Sequence, residues 1–285
     1  MNASSERNPQ AAQMASDSML RTLAAQANAI WPAEHALYDR YDLPDSARIA
    51  DIGCGSGEIT GRLAARYPEA TLVGVEILES SVAHARAKHA ALAPRLEFEQ
   101  GDAFELRFAP ETFDLVVCRH LLQSVPEPQQ VLAELWRICA PGGWIHVLSE
   151  DYGMLHMMLG EHDPDRLWHE GAIAYTRATG TDARIGRRTW SLLRALGLTD
   201  LHVDYVVVDT LRVPRETFAE ILRAWQDGYS EALGEKSNLR LVEARAIFDQ
   251  IIAGVLDPDQ YAVWHVPVVS GRKAATAGDT PAPAG

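Results

Sequence analysis

The sequence is short of the features that mark several protein classes. It has three cysteines in 285 residues, Cys54, Cys118 and Cys139, and no two of them form a CxxC pair. An odd set without that spacing excludes a disulfide framework and a zinc ribbon. Cys118 and Cys139 lie in apolar runs and read as small buried hydrophobes. No apolar run approaches the roughly 20 residues needed to span a bilayer, so no membrane partner is expected. The opening stretch, MNASSERNPQ, lacks the apolar segment of a secretory signal, and a cytoplasmic protein is expected. Basic residues are scarce too: 26 Lys and Arg stand against 39 Asp and Glu, a net charge of −13. Proteins that grip nucleic acid usually show a basic face. The balance therefore favours a small-molecule partner over nucleic acid. No internal repeat is visible.

What the chain does have is enough apolar content, 47%, for a full core. Its length suits one large α/β domain or one domain with a sizeable insertion. Leu20, Leu23, Ala24, Ala27 and Ile30 recur at helical spacing and predict helix over 17–41, broken into two pieces at Trp31-Pro32. Strands and helices then alternate. Strands are predicted at 48–52, 71–77, 95–100, 113–118 and 144–149, with helices at 57–67, at 80–89 and from Pro126 to the Pro141-Gly142-Gly143 break. Such alternation implies a parallel sheet with helices on both faces. Beyond it, helices are expected after Asp163-Pro164 and near 187–195, 214–233 and 238–255, and strands at 203–210 and 262–270.

The first strand runs straight into Asp51-Ile52-Gly53-Cys54-Gly55-Ser56-Gly57, where a helix opens. Glycines at alternate positions let the chain turn sharply and let a ligand press on the backbone. The helix start then offers amide N–H groups. A dinucleotide loop spaces its glycines as G-x-G-x-x-G. Here the third glycine comes one residue early, and Glu58 would repel a pyrophosphate. Asp51 sits where it could meet an ammonium.

This string resembles motif I of the class I S-adenosylmethionine-dependent methyltransferases. The likeness continues through Glu76 and Ile77 at the end of the second strand, Gly101-Asp102-Ala103 after the third, FDLVVCRHLLQSVPEP and APGG, and covers about residues 45–150. It implies S-adenosylmethionine as cofactor. The cofactor-contact set is then Asp51, Gly53, Cys54, Gly55, Gly57, Glu76, Ile77, Asp102, Ala103 and Arg119. Glu76 would meet the ribose hydroxyls, Asp102 the adenine amino group, and Arg119 the methionine carboxylate or an anionic substrate. The implied fold is α/β: a doubly wound, mainly parallel seven-stranded sheet with helices on both faces, the last strand antiparallel, plus helical lid insertions. The chain divides into an N-terminal helical cap with a disordered start (1–44), the cofactor core (45–150), the rest of the sheet with acceptor-site insertions (151–272) and a disordered tail (273–285).

Methyl transfer is an in-line displacement on carbon, so the protein must mainly align a nucleophile and exclude water. If a base is used, His120 is the candidate, at the mouth after the fourth strand. Asp151 and Tyr152, after the fifth strand, are expected to orient the acceptor. No catalytic metal is expected, because Glu161-His162-Asp163 forms no ligand spacing of the H-E-x-x-H kind. The inserted helices carry Trp168, Tyr175, Trp225 and Tyr229, and the N-terminal ones Trp31, Tyr38 and Tyr41, which suits a planar or apolar acceptor. The apolar face of 214–255 needs a surface to cover, either the cleft mouth or a second copy of the chain as a homodimer. A relative that binds the cofactor for a different reaction, and a peptide acceptor, stay open.

Overall fold

The computed structural model describes residues 7, 9, 10, 13 and 17–275. One mixed sheet organises them. Its strands are β1 (Arg48–Ile52), β2 (Thr71–Glu76), β3 (Leu96–Gln100), β4 (Phe113–Arg119), β5 (Cys139–Leu148), β6 (Leu155–His156), β7 (Thr199–Asp209) and β8 (Val263–Arg272). The order runs β3-β2-β1-β4-β5-β8, with β7 on the outer edge of β8. β1 to β5 are mutually parallel, and β8 is antiparallel to both β5 and β7. The Rossmann-like architecture expected from the alternating pattern is therefore present. The two-residue β6 is an addition: it pairs with β8 on the edge already used by β5.

Around the sheet lie α1 (Asp17–Glu34), α2 (Glu58–Arg66), α3 (Glu79–Lys88), α4 (Pro128–Ile138), α5 (Ile173–Ala178), α6 (Gly186–Ala195), α7 (Arg215–Lys236) and α8 (Leu241–Leu256). The central strands β1 and β4 are buried on both faces, which is why they read as apolar runs without alternation. One core packs α4 and α6 on one face through Ile52, Val116, Leu132, Leu135 and Leu193. A second packs α2 and α3 on the other through Ile49, Leu63, Val82 and Leu115. A third core belongs to the inserted helices, with Phe218, Ile221, Leu222, Ile247 and Ile251 buried against Trp264, Val266 and Val268 of β8. Their helical spacing supplied the apolar stripe.

Local departures from the sequence reading have physical causes. Pro32 does not break the first helix, which runs through it to Glu34 before a 3-10 turn, His35–Tyr41. Pro32 has no N–H to reach Asn28 O; nearby, Arg62 of α2 ties the preceding turn, donating to Ala27 O (3.1 Å) and Asn28 Oδ1 (2.6 Å). The segment after Asp163 opens as a π-helix, Leu167–Ala172, before α5. The fifth strand begins at Cys139, ahead of the proline and glycines. The C-terminal tail does not start at 273: Lys273 is buried, donates to Trp136 O and Cys139 O, and lies 4.1 Å from the Trp136 ring centre. The rest of that expected tail, from 276, and most of the expected disordered start lie outside the described residues. Gln10, within that start, is buried.

Candidate active site

In an open α/β sheet the ligand crevice lies beyond the carboxyl ends of the strands where strand order reverses. Here β1 is followed in sequence by β2 on one side and flanked by β4 on the other, so that point lies over Ile52 and Arg119. Gly53, Gly55 and Gly57 all have left-handed φ, +76°, +54° and +75°. Gly53 N and Cys54 N donate to Val75 O, tying the turn to β2. A Cβ on Gly55 would lie 2.6 Å from Leu23 Cδ1, so α1 rests directly on the loop.

Glu76 is the polar hub of this loop. It is buried, and its Oε2 accepts from Gly55 N (3.1 Å) while Oε1 accepts from Ile77 N (2.9 Å) and Leu78 N (3.1 Å). Burial raises its pKa, and the three backbone donors work against that rise. Glu76 and Gly53 line two adjoining cavities. One, of about 410 Å³, is walled by Ile77, Asp102, Ala103 and Phe104. Asp102 accepts from Phe104 N (2.9 Å) and pairs with Arg7 at 2.8 Å. The other cavity, of about 680 Å³, is walled by Gly55, Arg119, His120, Gln123, Glu150 and Tyr152, with Met19, Thr22, Leu23 and Gln26 of α1 closing it.

Three residues of the motif stand behind this wall. Asp51 is buried and accepts from Thr60 Oγ1 at 2.7 Å; burial raises its pKa to about 6 in spite of that bond. Cys54 is buried beneath β2, its sulfur 2.8 Å from where a Cβ on Gly74 would sit. Gly57 starts α2 against Phe98. These three brace the loop; they do not line the cleft.

Arg119 lines the cleft and is already paired. Its Nε donates to Glu34 Oε1 at 2.8 Å, and its Nη2 lies 2.8 Å from Oε2. His146 Nε2 meets the same Glu34 at 3.0 Å, and His146 Nδ1 meets the Tyr41 hydroxyl at 2.5 Å. Burial opposes ionisation of Glu34, but Arg119 and His146 overcome it and hold the carboxyl at about 2. Tyr38 stacks on His146, with centroids 4.5 Å apart. These N-terminal aromatics thus build the floor under the loop and do not roof the cleft.

His120 follows β4 in a left-handed conformation, φ +54°. His120 N donates to Leu148 O (2.9 Å), so strand pairing continues to the end of β5. That brings His120 Nδ1 onto Glu150 Oε1, a contact the sequence reading did not anticipate. Residues 150–152 alternate. Glu150 and Tyr152 face the cleft, whereas Asp151 turns outward into a bidentate pair with Arg187 (2.5 and 2.8 Å). Asp151 is therefore a structural anchor, and Glu150 takes the place in the cleft expected of it. The missed signal was strand parity: Glu150, not Asp151, shares the facing of Tyr152.

A third cavity, of about 550 Å³, adjoins the second and shares Gln123, Ser124, Tyr152, Trp225 and Tyr229 with it as walls. Its walls are Trp168 from the π-helix, Tyr175 from α5, Trp225, Tyr229 and Leu233 from α7, and Phe248 from α8. Among the described residues no charged side chain lines it. Gln10 closes one side, accepting from the Tyr229 hydroxyl at 3.2 Å. Trp168 Nε1 and Tyr175 OH, both buried, have no hydrogen-bond partner among the described residues. Trp190 of α6 is on the surface beneath Arg194 and takes no part in the chamber. Among the described residues no group of three or more His, Cys, Asp or Glu is placed to hold a metal ion, and no helix is long and apolar enough to cross a membrane.

Strand order, glycine loop and acidic β2 terminus together are similar to those of class I S-adenosylmethionine-dependent methyltransferase domains. Residues 49–143, about a third of the chain, match the family described as methyltransferase domain. Over 101 residues the chain is 43% identical to trans-aconitate 2-methyltransferase of Deinococcus radiodurans, an alignment covering 35% of this chain and 37% of that one. The matches span half or less of the length of the curated relatives, 37% to 44% for three trans-aconitate 2-methyltransferases. Among solved structures, the 4+2 cyclase SpnF superposes with a TM-score of 0.56 at 21% identity, covering 86% of this chain and 82% of that one. Phosphoethanolamine N-methyltransferase 2 of Haemonchus contortus, solved with phosphomonomethylethanolamine and S-adenosylhomocysteine, superposes at 0.55 with 18% identity, covering 86% and 53%. At such identities the structural likeness speaks for the fold alone.

Proposed function

We propose that this chain transfers the methyl group of S-adenosylmethionine to a small molecule held in the aromatic chamber. The observation that carries the reading is the adjacency of three cavities, which share first Gly53 and Glu76 and then Tyr152, Trp225 and Tyr229 as wall residues. The residues fit the cofactor. Glu76 Oε2 keeps one lone pair beyond its bond from Gly55 N, enough for a ribose hydroxyl, whereas Oε1 already accepts from Ile77 N and Leu78 N. Asp102, Ile77 and Ala103 would bound the adenine, and Gly53, Gly55 and Arg119 the amino-acid end. The bound cofactor supplies a sulfonium methyl that is already electrophilic. The protein's own work is to seat the acceptor, exclude water beneath α1, α5, α7 and α8, and take up a proton at His120 where the acceptor carries one. Tyr152, at the junction of the chambers, would orient the acceptor.

The test is thermal unfolding with S-adenosylhomocysteine and, separately, NAD. At about 100 times its dissociation constant the first ligand should add roughly 2.7 kcal/mol of stability. Stabilisation by NAD and not by S-adenosylhomocysteine would overturn the reading. Mass spectrometry of products then separates methyl transfer from any other cofactor-dependent chemistry.

A further inference from the structure

We infer that Glu150 is a positioning residue: it holds the ring proton of neutral His120 on Nδ1 and leaves Nε2 to accept a proton from the methyl acceptor. The inference rests on the methyltransferase reading. It also names the acceptor group more narrowly, as a nucleophile that arrives with its proton, a hydroxyl or a protonated amine.

Four observations converge on it. Glu150 is buried, with 1% of its surface exposed, and its Oε1 meets His120 Nδ1. An ionised carboxylate only accepts, so the neutral imidazole must donate from Nδ1, which makes Nε2 the acceptor. Second, Nε2 has no partner among the described residues, although buried polar atoms are nearly always satisfied. Third, His120 keeps a left-handed backbone that a side-chain-bearing residue adopts only under constraint, here Gln123 Nε2 donating to His120 O at 2.7 Å. Fourth, His120, Glu150 and Tyr152 wall the same cavity as Gly53 and Gly55, and Tyr152 also walls the aromatic chamber. A ring that only tied β4 to β5 would need neither the strained turn nor a place on that wall.

The step balances. The acceptor's proton passes to Nε2, the bond from nucleophile to methyl forms as the methyl–sulfur bond breaks, and the electron pair stays on sulfur. Aligned so, the imidazolium that results remains beside the Glu150 carboxylate, which offsets its charge.

Nitrogen NMR of the histidine-labelled full-length chain reads the tautomer without cofactor or acceptor. The expected result is Nδ1–H in the wild type, reverting towards the Nε2–H form in Glu150→Ala. Glu150→Gln keeps an acceptor oxygen and should retain much of the Nδ1–H form. An Nε2–H tautomer in the wild type overturns the inference, even where a variant fails to fold. Diethyl pyrocarbonate, which acylates an unprotonated ring nitrogen, should modify His120 and be blocked by S-adenosylhomocysteine. A ring that stays unmodified would return the pair to a purely structural tie. Should S-adenosylhomocysteine not bind at all, the methyltransferase reading fails while the tautomer result stands separately.

Discussion

The two halves of the cleft are made by different means. The glycine-loop half, with Gly53, Gly55, Glu76 and Asp102, is fixed by backbone: strand ends, left-handed turns and main-chain N–H groups gathered on one carboxylate. The aromatic half, with Tyr152, Trp168, Tyr175, Trp225, Tyr229 and Phe248, is fixed by side chains carried on a loop, a π-helix and three separate helices. A backbone site recurs wherever its motif recurs. A packed chamber is particular to its sequence, because each wall residue is held by neighbours far away in the chain. The family match, confined to residues 49–143, falls on the glycine-loop half and leaves most of the aromatic half outside it.

Four measurements would sharpen or break that division. The largest effect is expected at the junction: His120→Ala should lower kcat by about 10²- to 10⁴-fold, the range for losing a proton-transfer group, with cofactor affinity unchanged. A loss of cofactor binding instead would place His120 wholly in the glycine-loop half. Next, Glu76→Ala should weaken S-adenosylhomocysteine about 10- to 100-fold in calorimetry, whereas Glu79→Ala, on exposed α3, should not. Equal affinities would show that the β2 carboxylate is not the ribose partner. Then Trp168→Phe, which keeps the ring and removes the N–H, should raise the acceptor KM by about tenfold and leave cofactor affinity alone. Identical kinetics to wild type would argue that Trp168 only packs.

The smallest effect concerns Asp51, behind the loop. Its ordinary pKa is 3.8 and burial lifts it to about 6 in the folded chain. Between these values the folded state holds more protons than the unfolded, so stability falls as pH rises through that window. Asp51→Asn should flatten that fall in denaturant titrations from pH 4 to 6. Unaltered pH dependence would mean that Asp51 ionises as freely as a solvent-facing acid.

The same division decided how much of the molecule was legible in the sequence. β1, whose five residues are buried at four positions, was readable to the residue, and the loop after it by its glycine spacing. Glu76, Ile77, Asp102 and Ala103 followed because each sits within three residues of a strand end. What stayed hidden depends on partners distant in the chain. Asp151 is turned outward by Arg187, and Gln10 is drawn into the chamber wall by Tyr229, Ser124 and Thr181. The helix runs through Pro32, and the turn before it is tied to Arg62 of α2, more than 30 residues away in the chain. Glu150 was passed over for a subtler reason: of two adjacent acids in a loop, only parity with Tyr152 marks the one that faces the cleft.

The short strand β6 gives that loop a fixed length. Leu148 stands opposite Val268 and Leu155 opposite Trp264, so the chain takes seven steps, 148 to 155, where β8 takes four, 268 to 264. The surplus forms an arch whose feet stand on one strand, and Glu150 and Tyr152 are on its span. Tyr152 N reaches Ala183 O at 2.9 Å and Glu150 O receives Gly186 N at 3.0 Å, which stays the arch from outside. With both footings pinned, one residue more or less has nowhere to go by sliding. It must rotate the arch, exchanging the inward acid for the outward one. Substitution on this span is thus a local event, whereas a change in its length rewrites which residues the cleft sees.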